Sequence, residues 1–443
     1  MMDTFKKLLL FVLTLLAKLT LRKYKPNIIA VTGSIGKTSA KDAIYSVISA
    51  NFQTRKNEKS FNAEFGVPLT ILGLPNAWGS ALGWLSNIFK GLTLILLPNK
   101  YPAWLILEIG ADHPGDIKKI MKWIKPCIGV ITGLGNEAPV HIEFFPTIES
   151  LVREKSELLR SLESVDSAMI NFDDDRAWSM RSVTMAHVLS YGFSKGAKIR
   201  GDSLYVIYDE MKPKGMGFRV DYSEKSIPIR LTGVLGKGHA YAALAAFAVG
   251  TRLGINLVTI AEALAKHISA PGRMHILDGL HGSILIDDTY NSSPAAVKFA
   301  LNTLHELNLE PKVLNGTLGS KLNSRKIAVL GDMAELGEYS AGEHKKVGTW
   351  IPGVVDVLIC VGPRAKAIGE SAIVDGMDKS KVNYFDNSIE AGKFLSVFIQ
   401  ADTVLLKGSQ SMRMERATEM LLADPSKASE LLVRQNLEWK KKI

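Results

Sequence analysis

Cysteine is almost missing from this chain: its 443 residues include only Cys127 and Cys360. Two cysteines are too few for a thiolate zinc site or a disulfide-stapled secreted scaffold, which points to a reducing compartment, the cytoplasm. Aromatic residues are sparse at 8%, and no internal repeat or low-complexity tract occurs, so solenoid and disordered-tail architectures are excluded. Long apolar runs are lacking too. The N-terminal run Leu8–Ala17 falls well short of the roughly 20 residues that a membrane-crossing helix needs. The net charge of +10 comes without a recognised nucleic-acid reader motif, so no nucleic acid is expected as a partner.

What is present is a globular composition, 47% hydrophobic and 22% charged, long enough for two to four domains at roughly 100–200 residues each. In residues 1–25 the apolar run lies between Lys6, Lys7 and Lys18, Arg22, Lys23, Lys25. Such a segment suits a helix at the interface of an anionic leaflet; a buried domain helix is the alternative reading. A signal peptide would need a small-residue cleavage pattern, and none follows. A second apolar stretch, Trp78–Leu97, reads alone as a core helix or hairpin. Beside the first, it extends the expectation to peripheral contact with an anionic membrane surface, on the inner face of the cell membrane.

The segment NIIAVTGSIGKTSAKDAIYSVISA reads as strand, glycine turn and helix, with Ala43, Ile44, Val47 and Ile48 at helical spacing. Gly33, Ser34, Ile35, Gly36, Lys37, Thr38 and Ser39 then form a phosphate-binding loop. Glycines let backbone amides turn toward phosphate oxygens at a helix N-terminus, Lys37 reaches the β/γ-phosphates, and the Thr38 hydroxyl suits Mg²⁺. The full GxxxxGK[ST] pattern would place glycine at Val31, so the loop is a variant carried by its strand-before, helix-after context. Glu108 closes the buried run Trp104–Leu107 and can hold a metal, an ion-paired strand end being the alternative. A third strand over 127–135 leads to Glu137 and His141, and the helix beyond carries Glu154, Lys155 and Glu157. Taken alone, His141 reads as a loop histidine and Lys155 as a solvated helix lysine.

The ordered series TGSIGKTS, FNAEFGVP, LEIGADHPGDI, ITGLG, HIEFF, REKSEL, APGRM, IDDTYNSSP, VLGDMAELG and LLKGSQS resembles the Mur ligase family from residue 28 to about 415. Asp287–Pro294 and Leu330–Gly337 most resemble its branch that adds D-alanyl-D-alanine to the peptidoglycan precursor peptide. The resemblance implies ATP-dependent amide formation through an acyl phosphate, with ATP and Mg²⁺ as cofactors. It also implies that Lys37 and Thr38 cradle phosphates and Mg²⁺, that Glu108 and His141 bind metal, and that Lys155 is carbamylated. An anionic carbamate would turn a repelling cation into an oxygen ligand suited to Mg²⁺. Arg273 would face the phosphates, Asp288 and Asn291 would line the nucleotide side, and Lys407, Gly408 and Ser409 would orient the incoming peptide's carboxylate. A simple tight turn is the alternative for that last piece.

Two departures from the family pattern matter. Its N-terminal uridine-nucleotide-binding domain is expected to be absent, because only about 30 residues precede Gly33. Its HNxxNALAA segment is written GKGHAYAALAA, so Gly238, His239 and Ala242 replace His, Asn and Asn; His239 is expected to take over part of ATP binding. The expected fold class is α/β: a P-loop central domain over 26–268 with a mostly parallel sheet, a β-rich insertion near Lys198–Leu231, and a Rossmann-like C-terminal α/β domain over 269–443. Leu309–Arg325 reads as a surface loop. The expected partners are a small-molecule or lipid-linked cell-wall precursor and D-alanyl-D-alanine. The alternatives are the same chemistry on a non-peptidoglycan acceptor, or a non-catalytic membrane-associated ATP-binding regulator.

Overall fold

A computed structural model describes residues 2–58, 64–210, 212–307 and 324–440. The chain begins with α1 (Met2–Tyr24), β1 (Asn27–Thr32), α2 (Lys37–Ser49), β2 (Thr54–Lys56), α3 (Gly66–Leu72), α4 (Ala81–Leu96) and β3 (Trp104–Glu108). It continues through α5 (Asp116–Met121), β4 (Ile128–Ile131), α6 (Ile148–Arg160), β5 (Ser167–Asn171), α7 (Asp175–Ser179) and β6 (His187–Gly192). The meander β7 (Ile199–Asp209), β8 (Lys212–Tyr222), β9 (Lys225–Thr232) follows, then α8 (Lys237–Arg252) and α9 (Leu257–Ala265).

These strands form one sheet in the order β2-β3-β1-β4-β5-β6-β7-β8-β9. Pairing is parallel from β2 to β7 and antiparallel across the meander, which lies where the sequence suggests a β-rich insertion. The inner strands are buried on both faces, so they read as unbroken apolar runs. Alternate residues serve two cores: Ile28 and Ala30 join α1, α3 and α6, whereas Ile29 and Val31 join α2 and α8. The alanines Ala240, Ala243 and Ala246 of α8 are fully buried and let that helix lie close over the sheet.

The second sheet comprises β10 (His275–Asp278), β11 (Ile284–Asp288), β12 (Lys326–Gly331), β13 (Val357–Val361), β14 (Val382–Phe385) and β15 (Thr403–Lys407). Its order is β10-β11-β15-β12-β13-β14, parallel except for the β10 edge. Helix α10 (Pro294–Glu306) leaves β11 toward the first sheet. The expected α/β class, with a P-loop unit and a second α/β unit, is the observed one. Residues 61–63 of FNAEFGVP, most of the 309–325 loop and residues 441–443 lie outside the described residues.

On one face the N-terminal segment follows the buried domain-helix reading. Leu9, Leu13, Leu16, Ala17 and Thr20 are buried, so one face of α1 belongs to the core. Leu16 sits so close to Gly91 of α4 that a Cβ there would meet it at 2.9 Å. Lys23, expected as part of a basic flank, instead donates to the carbonyls of Leu94, Ile95 and Leu97 at 3.2, 2.8 and 2.7 Å. It thereby satisfies the open C-terminal end of α4. Among the described residues, no helix is long and apolar enough to cross a membrane.

Candidate active site

The phosphate loop follows β1 and is pinned to the end of β4. The amides of Ser34 and Ile35 both donate to the Gly133 carbonyl, at 2.8 and 2.9 Å. A side chain at Gly33 would collide with the Thr132 hydroxyl, and Gly36 caps α2 with φ 77°, a left-handed conformation that suits glycine. The pinned Ser34 and Ile35 amides are already used, so the first-turn amides of α2 are the ones open to an anion. Lys37 is desolvated beside them: burial pushes its ammonium below the ordinary lysine range, the Glu108 charge opposes this, and Arg273 adds to it.

The Thr38 hydroxyl donates to Glu108 Oε2 at 2.9 Å, with both residues buried. The Glu108 amide donates to Asn57 Oδ1 at 2.6 Å. Lys41, one turn beyond Lys37 and only 1% exposed, donates to the Asn57 carbonyl at 3.1 Å and lies 3.7 Å from Glu108. Neither Lys41 nor Asn57 stands out in the sequence; Lys41 reads as an ordinary helix lysine, and its only cue is the i+4 offset from Lys37. Among the described residues, no three His, Cys, Asp or Glu side chains form a ready metal cluster. The Thr38 hydroxyl and Glu108 carboxylate are nonetheless hard oxygen donors of the kind Mg²⁺ takes, alongside water and phosphate oxygens.

Lys155 of α6 reaches into the same loop. It is not a solvated helix lysine: it is 4% exposed, and its ammonium donates to the Gly33 carbonyl at 3.0 Å. Burial, reinforced by the Lys37 charge, pushes its pKa down to about 7. Its neighbour Glu154 accepts from the Gly115, Ile117 and Lys118 amides and so caps α5. His141 does not join Thr38 and Glu108. It stands at φ 68° with Nδ1 2.8 Å from Glu335 and Nε2 3.7 Å from Asp112.

Arg273 comes from the loop before β10 and stacks over the Tyr290 ring at 4.1 Å. His239, expected on ATP, is directed elsewhere: its Nε2 contacts the Arg273 carbonyl at 2.7 Å, and burial pushes its pKa down to about 3. Asp288 and Lys407, expected on different substrates, pair with each other at 2.7 Å; Lys407 also donates to the Asn291 carbonyl at 2.9 Å. Ser409 Oγ accepts from the Ala334 amide at 2.8 Å, and the Gly408 Cα leaves no room for a Cβ beside Met414. The KGS turn therefore ties the IDDTYNSSP and VLGDMAELG segments together.

A cavity opens between the two sheets. Ile35 and Gly36 of the loop, Asn136 and Glu137 beyond β4, Asp173 and Asp174 beyond β5, and Gly238, Tyr241 and Ala242 of α8 line one side. Lys298 and Asn302 of α10 line the other, with Lys298 bonded across to Glu137 at 3.0 Å. Such a crevice at the carboxyl ends of parallel strands, opening on a phosphate loop, is where an α/β fold binds a nucleotide.

Residues 31–250 match the Mur ligase middle domain and residues 272–410 match the Mur ligase, glutamate ligase domain. The chain belongs to the Mur ligase family. Among its relatives, the UDP-N-acetylmuramoyl-tripeptide--D-alanyl-D-alanine ligase of Mycobacterium tuberculosis is 27% identical over 415 residues, which is 90% of this chain and 73% of that protein. The Bacillus subtilis protein of the same name is 26% identical over 93% of this chain and 79% of its own length. A solved Mur ligase, MurF from Thermotoga maritima in complex with ADP, superposes with a TM-score of 0.72 at 25% identity, covering 93% of this chain and 83% of its own. MurF from Acinetobacter baumannii, at 24% identity and 92% coverage of this chain, also has a TM-score of 0.72 and shares the fold.

Proposed function

We propose that this Mur ligase family member forms an amide bond at the expense of ATP, adding D-alanyl-D-alanine to a muramoyl-peptide cell-wall precursor. The observation that carries the reading is the buried Thr38, Glu108 and Lys155, with half-buried Lys37, around one phosphate loop at the mouth of the intersheet cavity. The relatives named for this reaction match over nearly the whole chain.

In the proposed reaction the precursor's carboxylate attacks the γ-phosphorus and ADP leaves, giving an acyl phosphate. The D-alanyl-D-alanine amine then attacks the acyl carbon, phosphate leaves, and the amine's proton passes to solvent. Loop amides and Lys37 hold the nucleotide's phosphates, and Arg273 supplies fixed positive charge near them. Thr38 and Glu108 would hold Mg²⁺, which would supply charge neutralisation on the phosphates, and the metal role proposed for His141 would fall to a separate ion, since its ring faces Glu335 and Asp112. Asp288 and Asn291 are proposed on the nucleotide side and the KGS turn at the incoming peptide.

Lys155 is proposed as the carbamylated lysine. Its neutral amine takes up CO₂, releasing one proton and leaving an anionic oxygen donor. Its burial and its lowered pKa of about 7 support this, because a neutral amine is available near physiological pH.

A second reading keeps this chemistry on a lipid-linked acceptor, with the protein peripheral on the inner face of the cell membrane. The exposed apolar faces of α1 and α4 favour it. The test of the main reading is phosphate release from ATP and Mg²⁺. Release is expected only when a muramoyl tripeptide and D-alanyl-D-alanine are both present. Release independent of both substrates would contradict the reading.

A further inference from the structure

The ligase chemistry leaves one large surface unused. Helix α4 presents Leu82, Leu85, Phe89, Leu92 and Leu96, which are 42–80% exposed and spaced three and four residues apart, so they form one stripe along the helix. On α1, packed beside it, Leu8, Phe11 and Leu15 repeat the spacing at 46–66% exposure. Trp78, 58% exposed, stands just before α4. Isolated exposed leucines are ordinary, whereas neighbouring stripes of them mark an interaction site.

Along α4, and along α1 from Thr4 onward, the charged residues have one sign. No Asp or Glu occurs between Thr4 and Lys41 or between Phe65 and Leu107, while Lys6, Arg22, Lys25, Lys90 and Lys100 are exposed. A stripe of this spacing also fits a second helix. In a self-association, however, these cations would face their own copies, and like charges oppose that. Anionic lipid phosphates complement them, and the leucine and phenylalanine side chains fit the headgroup–acyl boundary.

We propose that the α1–α4 face docks this protein on an anionic membrane surface. This rests on the peripheral location proposed above and names the surface responsible. Asn87, Trp84 and Gly91 of α4, with Leu9, Leu13 and Leu16 of α1, hold the helices to the core. The outer stripes are therefore presented as a rigid face. Because α1 runs directly into β1, and β1 into the phosphate loop, docking tethers the ligand site to the membrane.

The test is co-sedimentation of the full chain with vesicles of phosphatidylcholine alone and of phosphatidylcholine mixed with phosphatidylglycerol. Binding to the anionic vesicles is expected to be at least about ten-fold the stronger, and to weaken as salt rises. The double variant Leu85→Glu, Phe89→Glu is expected to lose that binding about ten-fold while releasing phosphate with soluble substrates at the wild-type rate, which shows that it is folded. Lys90→Glu alone is expected to reduce the preference for anionic vesicles. Equal binding to both vesicle types, or unchanged binding by the double variant, would overturn the proposal. So would a wild-type dimer in sedimentation velocity that the double variant abolishes, since the face would then belong to a second copy. The ligase assay reads separately, so loss of docking with intact turnover leaves the catalytic reading standing.

Discussion

Lys37, Thr38 and Glu108 depend on one another. Thr38 donates a hydrogen bond to Glu108, and the half-buried Lys37 has the Glu108 charge working against its desolvation. Removing the ammonium deprives the phosphates of a fixed partner in a water-poor cleft, so Lys37→Ala is expected to lower phosphate release by about 10²–10³-fold, measured as single-turnover ATP hydrolysis. The carbamylation proposed at Lys155 needs a neutral amine. Burial lowers its pKa from the ordinary lysine value of 10.5 to about 7, so the neutral amine prevails above about pH 7 and the ammonium, with no lone pair, below it. A ¹³C-carbamate resonance from labelled bicarbonate is therefore expected to grow as pH rises through about 7 and to be missing in Lys155→Arg. At this scale the loop was legible because GKT needs only a strand before it and a helix after. Lys41 and Asn57 were not legible, since burial and a carbonyl 16 residues away make them part of the site. His239 stands where an amide was expected, but its direction toward the Arg273 carbonyl depends on a loop from the second sheet.

Among the elements, β11 and β15 are locked by more than their ladder. Lys407 at the end of β15 pairs with Asp288 at the end of β11, with Lys407 2% and Asp288 14% exposed at the side chain. Burial raises the Asp288 pKa above the usual carboxylate range, and Lys407 opposes that rise. Lys407→Ala would leave a buried carboxylate without its cation and is expected to cost about 3–5 kcal/mol, read by chemical denaturation; Lys407→Met with Asp288→Asn is expected to recover much of it. The buried strands β1, β3, β12 and β15 were legible as short apolar runs bounded by glycine or polar residues. β2, three partly exposed residues reading Thr-Arg-Lys, was not, because its identity comes from pairing with β3. The stretch Trp78–Leu97 was legible as apolar, with helix and hairpin both open. That Lys23 closes its end follows only once α1 lies beside it.

At the scale of the whole molecule, polar links between described residues join the two sheets around the cavity. Lys298 reaches Glu137 at 3.0 Å, and His141 pairs with Glu335 at 2.8 Å. These contacts join the phosphate loop's sheet to the segments that carry Asp288, Asn291 and the KGS turn, so both substrates of a ligation would be gathered in one crevice. Which segments would meet was legible only through the family resemblance, because residue spacing along the chain does not bring residue 137 to residue 298. In the proposed reaction this crevice joins a carboxylate to an amine at the expense of ATP. The most direct measurement is the mass of the product formed from ATP, Mg²⁺, D-alanyl-D-alanine and a muramoyl tripeptide, supplied either as the soluble uridine nucleotide or linked to lipid. The expected product is heavier than the acceptor by one D-alanyl-D-alanine less water, with one ADP formed per bond. ATP consumed with no such mass from either acceptor would contradict it.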